Sequence, residues 1–267
     1  MKTRAQKAKE KILDIRDLSF VADFPILKSV SWTVLRGERW ALLGANGAGK
    51  TSLISAICAY NTPSGGEMSV DGKTYSEYDW QKVREKIALV GSQLKRGFDA
   101  NERVGDVVVS GKFAMINYWG RITKRLREEA VEKLSKFGIA RIADSRWACI
   151  SQGERQKVLL ARALMIKPSV VFLDEPCSGL DPVARSEFVE FLDGLSADKS
   201  IPAIILATHH IEEIPESFTK AIALKSGEVA AIGPKEKVLT AETLGDIYGA
   251  PCKVWHARGK YRLEVLR

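Results

Sequence analysis

Short alternations of apolar and polar residues fill the first part of the chain. Ile12-Leu13-Asp14-Ile15, Leu18-Ser19-Phe20-Val21 and Val30-Ser31-Trp32-Thr33-Val34 repeat with a period near two. That period places successive side chains on opposite faces of a strand, so the stretch predicts half-buried antiparallel strands. The pattern changes at Trp40-Ala41-Leu42-Leu43, a continuous apolar run that reads as a fully buried strand, and Ser52-Leu53-Ile54-Ser55-Ala56-Ile57 then reads as a helix. Pro63-Ser64-Gly65-Gly66 and Asp71-Gly72 mark turns on either side of Glu67-Met68-Ser69-Val70. Ile87-Ala88-Leu89-Val90 is a further buried strand.

Between residues 98 and 150 the alternation disappears and helical spacing replaces it, over 104–109 and 128–137, with Gly138 placed as a C-terminal cap. This predicts a mostly helical insertion inside a larger unit. Strand and helix then resume in turn at 169–173, 183–195 and 203–207. Such an order predicts a parallel, right-handed α/β sheet covered on both faces. Near the C-terminus, Lys253-Val254-Trp255-His256 and Tyr261-Arg262-Leu263-Glu264-Val265 flank Arg258-Gly259 as a hairpin. The expected organisation is a basic arm over 1–11, one α/β unit over 12–250 with its helical insertion at about 98–150, and a hairpin over 251–267.

Composition narrows the class. The 267 residues are 45% hydrophobic and 28% charged, ordinary for a globular protein, and no apolar run approaches bilayer-spanning length. The N-terminal arm is rich in Lys and Arg but no long apolar segment follows it, so it does not read as a secretory signal. Cys58, Cys149, Cys177 and Cys252 stand far apart, in no metal-ligand spacing, and read as reduced, mostly buried thiols. A formal charge of +8 favours acidic partners, whether nucleotides, anionic lipid headgroups or nucleic acid. The basic run 121–127 leads into Glu128 and Glu129 and reads as a solvated helix face with charge pairs one turn apart, with contact to a membrane surface or a partner as the alternative.

The chemistry centres on Gly44-Ala45-Asn46-Gly47-Ala48-Gly49-Lys50-Thr51. It satisfies the Gly-x-x-x-x-Gly-Lys-[Ser/Thr] phosphate-loop pattern and lies between a predicted strand and a predicted helix, as that loop requires. The glycines let the backbone of Gly44, Asn46, Gly47, Ala48 and Gly49, running on into Ser52, turn its N–H groups toward a polyphosphate at a helix N-terminus. Lys50 then reaches the β- and γ-phosphates, and the Thr51 hydroxyl holds Mg²⁺. Further on, Val170-Val171-Phe172-Leu173 ends in Asp174 and Glu175, which delivers carboxylates to the ligand-binding end of a parallel sheet. Asp174 suits Mg²⁺ through water, and Glu175 an attacking water.

Ser151-Gln152-Gly153-Glu154-Arg155-Gln156 precedes a helix over 157–165, Ser178-Gly179-Leu180-Asp181-Pro182 follows the acids, and Ala207-Thr208-His209-His210 ends a later strand. This ordered set, over about residues 12–233, resembles the nucleotide-binding subunit of ABC (ATP-binding cassette) proteins. The resemblance implies a P-loop NTPase core of the RecA-like kind, with an antiparallel β subdomain and an inserted helical subdomain. It further implies ATP and Mg²⁺ as cofactors, Mg²⁺-dependent ATP hydrolysis, and two copies stacked head to tail. Ser151, Gly153 and Glu154 then sit at the segment that caps the triphosphate held by the other copy. Gln152 and Glu154 stand where the family usually has Gly and Gln. Glu175 corresponds to the catalytic base, Asp181 to a dimer contact and His209 to the histidine that meets the γ-phosphate. Gln93, or Ser92 one residue earlier, fills the family's Mg²⁺-sensing glutamine position. The aromatic that stacks on adenine falls near Val21, so Phe20 or Phe24 substitutes or the base is held loosely. Ser-Gln-Gly-Glu-x-Gln with Asp-Glu-Pro-Cys-x-Gly-Leu-Asp is similar to a bacterial molybdate or metal-chelate subgroup.

The expected function is that of a transporter ATPase lying peripherally on the cytoplasmic face of a membrane, driving transmembrane permease subunits on separate chains and needing no nucleic acid. A soluble ABC ATPase in cofactor assembly, repair or ribosome work is the second reading. A small-molecule kinase or switch GTPase is the third, and it lacks the Ser151, Asp181 and His209 motifs.

Overall fold

A computed structural model describes residues 10–91, 97–196, 198 and 203–266, which leaves most of the basic arm outside. The alternating stretch forms β1 (Lys11–Val21) and β2 (Pro25–Leu35), with Ile15 opposite Trp32 and Leu18 opposite Val30. The apolar run becomes β3 (Arg39–Leu43), buried throughout, and α1 (Lys50–Ile57) leaves the phosphate loop. β4 (Gly65–Val70) and the short β5 (Lys73–Thr74) complete an antiparallel sheet of order β2-β1-β4-β5. A short helix α2 (Trp80–Arg84) then leads to β6 (Ile87–Gly91).

The helical stretch contains α3 (Val104–Ser110) and α4 (Lys124–Lys136). α4 starts about one turn before the predicted onset, because the Thr123 hydroxyl caps it by accepting from the Leu126 N–H at 3.4 Å. Lys124 pairs with Glu128 a turn apart as expected, at 3.9 Å, while Arg127 reaches across to Asp106 at 3.4 Å and Glu129 pairs with Lys112, outside the helix, at 3.2 Å. Gly138, at φ +70°, provides the left-handed residue that lets the chain turn away after α4.

Then follow α5 (Gln152–Ala163), β7 (Val170–Asp174), α6 (Pro182–Ser196), β8 (Ile204–Thr208), β9 (Lys220–Lys225) and β10 (Glu228–Pro234). The main sheet has the order β10-β9-β3-β8-β7-β6, parallel except for the β9–β10 pair. Each central strand contributes to two cores, one on each face. Ala41, Leu43, Val171, Leu173, Ile204 and Leu206 enter the core that includes the helical stretch. Trp40, Leu42, Val170, Phe172, Ile205 and Ala207 enter the core shared with the antiparallel sheet. A strand buried on both faces needs apolar residues at every position, hence the unbroken runs in the sequence. The chain closes with α7 (Lys235–Val238), α8 (Ala241–Tyr248) and the predicted hairpin, β11 (Cys252–Ala257) with β12 (Lys260–Val265). Among the described residues no helix is long and apolar enough to cross a membrane. Cys58, Cys177 and Cys252 are buried and Cys149 is exposed.

Arg162 on α5 ties the helical stretch together from inside. Its guanidinium donates to the Ser110 hydroxyl at 3.0 Å and the Met115 carbonyl at 2.8 Å, and it lies 5.5 Å from the centre of the Phe98 ring. Arg162→Met keeps the volume but strands the Met115 carbonyl, and should cost about 2–4 kcal/mol in urea unfolding. A loss below about 0.5 kcal/mol would mean that the buried guanidinium contributes no more than an apolar side chain.

Candidate functional site

The site forms at the C-terminal edge of the parallel strands. β3 runs into the phosphate loop, whose backbone is shaped by close approaches rather than by side chains. Gly49, at φ +103°, passes so near β2 that an added Cβ would lie 2.9 Å from Leu27 Cδ2 and 3.3 Å from the Ile26 carbonyl oxygen. The Gly227 N–H, in the β9–β10 turn, donates to the Ala48 carbonyl at 3.1 Å and locks the loop from the other side. α1 begins at Lys50, and the first N–H groups of any helix have no acceptor within it. With Asn46, Gly47 and Thr51 exposed, the loop opens to solvent as a ready anion cradle.

Lys50 is only 5% exposed, and its ammonium donates to the carbonyls of Gly44 at 2.7 Å and Ala45 at 3.1 Å. Burial pushes its pKa down, while the nearby Glu175 and Asp174 carboxylates oppose that shift. Two strands away, β7 ends in Asp174. One carboxylate oxygen, Oδ2, accepts from the Thr51 hydroxyl at 3.2 Å; the other, Oδ1, is buried with no hydrogen-bond partner among the described residues. Burial pushes the Asp174 pKa up and the Glu175 charge adds to this, whereas the Thr51 hydrogen bond and Lys50 act the other way. An orphaned carboxylate oxygen beside a hydroxyl is a donor set suited to a hard divalent cation, so the residues present fit Mg²⁺.

Glu175 takes a left-handed backbone, φ +48°, that ends the strand abruptly. Its N–H still donates to the Ala207 carbonyl at 2.9 Å, and its Oε1 lies 2.9 Å from His209 Nδ1 and 3.9 Å from Lys50 Nζ. A non-glycine residue held there costs on the order of 1–3 kcal/mol, and such strain collects at functional sites. Lys50, Thr51, Asp174, Glu175 and His209, far apart in sequence, therefore meet in one place.

A second group lies apart. Ser151 starts α5 in a reciprocal cap, its hydroxyl accepting from the Glu154 N–H at 3.2 Å and its own N–H donating to Glu154 Oε2 at 2.9 Å. The other Glu154 oxygen accepts from Arg141 at 2.6 Å. Burial would raise the Glu154 pKa, but these hydrogen bonds outweigh it and hold the carboxyl below its usual range. Asp181 caps α6 by accepting from the Val183 and Ala184 N–H groups at 2.9 and 3.0 Å, and these bonds lower its pKa. The two helix starts adjoin: a Cβ on Gly153 would lie 3.8 Å from that of Ala184. Ser151 and Asp181 are both exposed, and among the described residues no hydrogen bond joins either to the phosphate loop. Ser92 and Gln93 lie outside the described residues. Of the candidate aromatics, Phe20 is packed partly against the core, while Val21 is 49% and Phe24 66% exposed. The sequence motifs did not point to Arg141, which holds Glu154, nor to Tyr248, whose hydroxyl donates to the His209 carbonyl at 2.7 Å. Neither belongs to a local pattern, and only the fold brings each to its partner.

A parallel sheet with a phosphate loop on one strand and paired acids two strands away defines a P-loop nucleoside triphosphatase. Residues 27–178, more than half of the chain, match the family model described as ABC transporter, and the chain belongs to that family. It is 38% identical to the uncharacterised ABC transporter ATP-binding protein YlmA of Bacillus subtilis over 86% of this chain and 87% of that one. It is 34% identical to YmeB of Lactococcus lactis, another uncharacterised ABC transporter ATP-binding protein, over 88% and 91% of the two chains. The structure of cbiO1 from Clostridium perfringens, part of the ABC transporter complex cbiONQ, superposes with a TM-score of 0.76 at 28% identity, covering 88% of this chain and 93% of that one. The protein is an ABC transporter ATP-binding subunit, and its enzymatic activity is ATP hydrolysis.

The close packing at Gly49 is open to test. Gly49→Ala adds a methyl group against Leu27 in a backbone conformation that alanine avoids. It should lower stability by about 1–3 kcal/mol and weaken binding of a slowly hydrolysed ATP analogue. Unchanged affinity with unchanged stability would show that the loop does not need this approach.

Proposed function

We propose that the chain works as a head-to-tail pair in which each copy completes the other's ATP site. The observation that carries this is the separation of its two exposed groups: the phosphate loop with Glu175 and His209 on one side, Ser151 and Asp181 on the other. In the pair, the Ser151 hydroxyl and the Gly153 N–H of one copy cap the triphosphate on the other copy's loop. The Ser151 oxygen already accepts from Glu154, which leaves its proton free for a phosphate oxygen. Glu154 acts in the cap by holding Ser151, since both its carboxylate oxygens are engaged within its own chain.

Within one copy, the backbone N–H groups of the loop and the Lys50 ammonium bind the β- and γ-phosphates. Thr51 and Asp174 hold Mg²⁺, with Gln93 as a further ligand, and the bound ion neutralises phosphate charge. Glu175 accepts the proton of the attacking water, and His209, beside its carboxylate, contacts the γ-phosphate. Residues 12–250 act as one ATPase unit, with the helical insertion as its partner-binding part and the hairpin as an addition. Closure and reopening of the pair drive permease subunits on separate chains, with this subunit peripheral on the cytoplasmic face. A groove of about 1260 Å³ runs from Thr51 and Asp174 past Arg84 to Lys112 and Phe113, linking the metal site to the insertion, and supports that face as the partner contact.

Glu175→Gln should bind ATP normally, lose at least about 100-fold in turnover, and collect as a dimer with ATP on size exclusion, since the amide cannot take a proton from water. Hydrolysis near the wild-type rate would remove Glu175 from the role of base, and a monomer under the same conditions would count against the pair.

Phe24 is proposed to stack on the base, because the exposed ring stands near the tip of the β1–β2 hairpin while Phe20 is turned to the core. Stacking of aromatic rings on bases is worth about 1–3 kcal/mol, so Phe24→Ala should weaken ATP binding about 5- to 150-fold, whereas Phe20→Ala should leave it nearly unchanged. If instead Phe24→Ala has no effect and Val21→Tyr tightens ATP, the base lies over β1 without an aromatic partner.

A further inference from the structure

The loop that carries His209 is tied down on every side but one by its own neighbours. The Thr208 hydroxyl donates to Glu213 Oε2 at 2.6 Å and accepts from the His210 N–H at 3.0 Å, and Glu213 is buried. The Leu263 N–H, on β12, donates to Glu212 Oε1 at 3.1 Å. These contacts fix residues 208, 210, 212 and 213, and the His210 N–H bond to Thr208 holds the nitrogen side of the peptide group that joins His209 to His210. The carbonyl side of that peptide group is held from the C-terminal part of the chain. Tyr248 is the last residue of α8, and Gly249, at φ +70°, stops the helix there. The half-buried Tyr248 ring packs against the main core and its hydroxyl donates to the His209 carbonyl at 2.7 Å.

We propose that Tyr248 is a positioning residue for ATP hydrolysis: its hydroxyl fixes the His209 peptide and thereby sets the imidazole against Glu175. The proposal rests on the assignment of Glu175 and His209 to hydrolysis. The imidazole meets Glu175 at 2.9 Å and lies over the His210 ring with centroids 4.0 Å apart, so a rotation of the 209 peptide would change both contacts. Displacement of a reacting group by about 1 Å can cost on the order of 100-fold in rate. Tyr248 also borders a hollow of about 280 Å³ lined by Asn46 and Gly47, so the end of α8 stands between the phosphate loop and the histidine loop. Burial, with the Glu212 charge adding to it, pushes the Tyr248 phenol up to about 12, so the hydroxyl keeps its proton and remains a donor at neutral and moderately alkaline pH.

The test is Tyr248→Phe, which removes the donor and keeps the ring. Turnover should fall about tenfold while KM and the affinity for a slowly hydrolysed ATP analogue stay within about twofold. Single-turnover hydrolysis of radiolabelled ATP then reads the same change in a His209→Ala background, where slow rates remain measurable. If Tyr248 acts through His209, the double variant should be no slower than His209→Ala alone. Tyr248→Leu, which keeps apolar filling, serves as the second variant and should show the same absence of further loss. A wild-type rate for Tyr248→Phe, equal losses in rate and affinity, or losses that multiply in the His209→Ala background would each overturn the proposal. Failure of the underlying reading is distinguished by Glu175→Gln: if that variant stays active the assignment of the base falls, whereas an inactive Glu175→Gln with an unaffected Tyr248→Phe removes only Tyr248.

Discussion

Everything in this site depends on how closely three backbones meet at Gly49. The phosphate loop, the start of β2 and the β9–β10 turn converge there, with the Gly227 N–H on the Ala48 carbonyl and the Lys28 N–H on the Gly227 carbonyl. An added Cβ on either glycine would strike Ile26 or Leu27. This junction is where the antiparallel sheet is fastened to the parallel one, and it falls at the loop that must present its N–H groups to phosphate. Side chains would fill the space that the backbones need, so the requirement for glycine comes from packing as much as from the ligand. The two cores on either side of β3 then hold the loop at a fixed height above the sheet edge.

On that frame the charges are arranged at some energetic cost. Lys50 and Asp174 are both drawn out of water, and burial works against the charged form of each. Lys50 is compensated by the Gly44 and Ala45 carbonyls and by the acids nearby, while one Asp174 oxygen is left without a partner. Glu175 adds a left-handed backbone at the end of a strand. An unpaired carboxylate oxygen and a strained residue side by side are poor choices for stability alone. They are suited to a site that takes up a cation and a polyanion together.

The same residues show how far a motif extends in meaning. Ser151-Gln152-Gly153-Glu154 read as a segment ahead of a helix over 157–165; in the structure the helix already starts at Gln152, and the segment is its complete reciprocal cap, reinforced by Arg141. The acid at position 154 therefore serves the local fold as well as the segment's exposed end. His209 was legible from Ala-Thr-His-His at a strand end, but its support was not. The Thr208–Glu213 bond, the β12 contact to Glu212 and the Tyr248 hydroxyl come from three different parts of the chain.

By itself, the sequence determined the phosphate loop, the buried strands, the paired acids and the helical stretch between them. These are local properties: period and burial set strand or helix, and a phosphate loop carries its ligand chemistry in eight consecutive residues. β9, β10 and α8 were not read from the sequence: β9 is a buried run of only four apolar residues, Ala221 to Leu224, and β10 and α8 are short elements with one face exposed. Only the tertiary structure decided that Phe20 turns inward while Phe24 stays in solvent, and that Asp174 keeps an unpaired oxygen. It also decided that Tyr248 closes on His209 across 39 residues. Those facts depend on which surfaces meet when sheets and helices pack, and a side chain's distant neighbours leave no periodic trace along the chain.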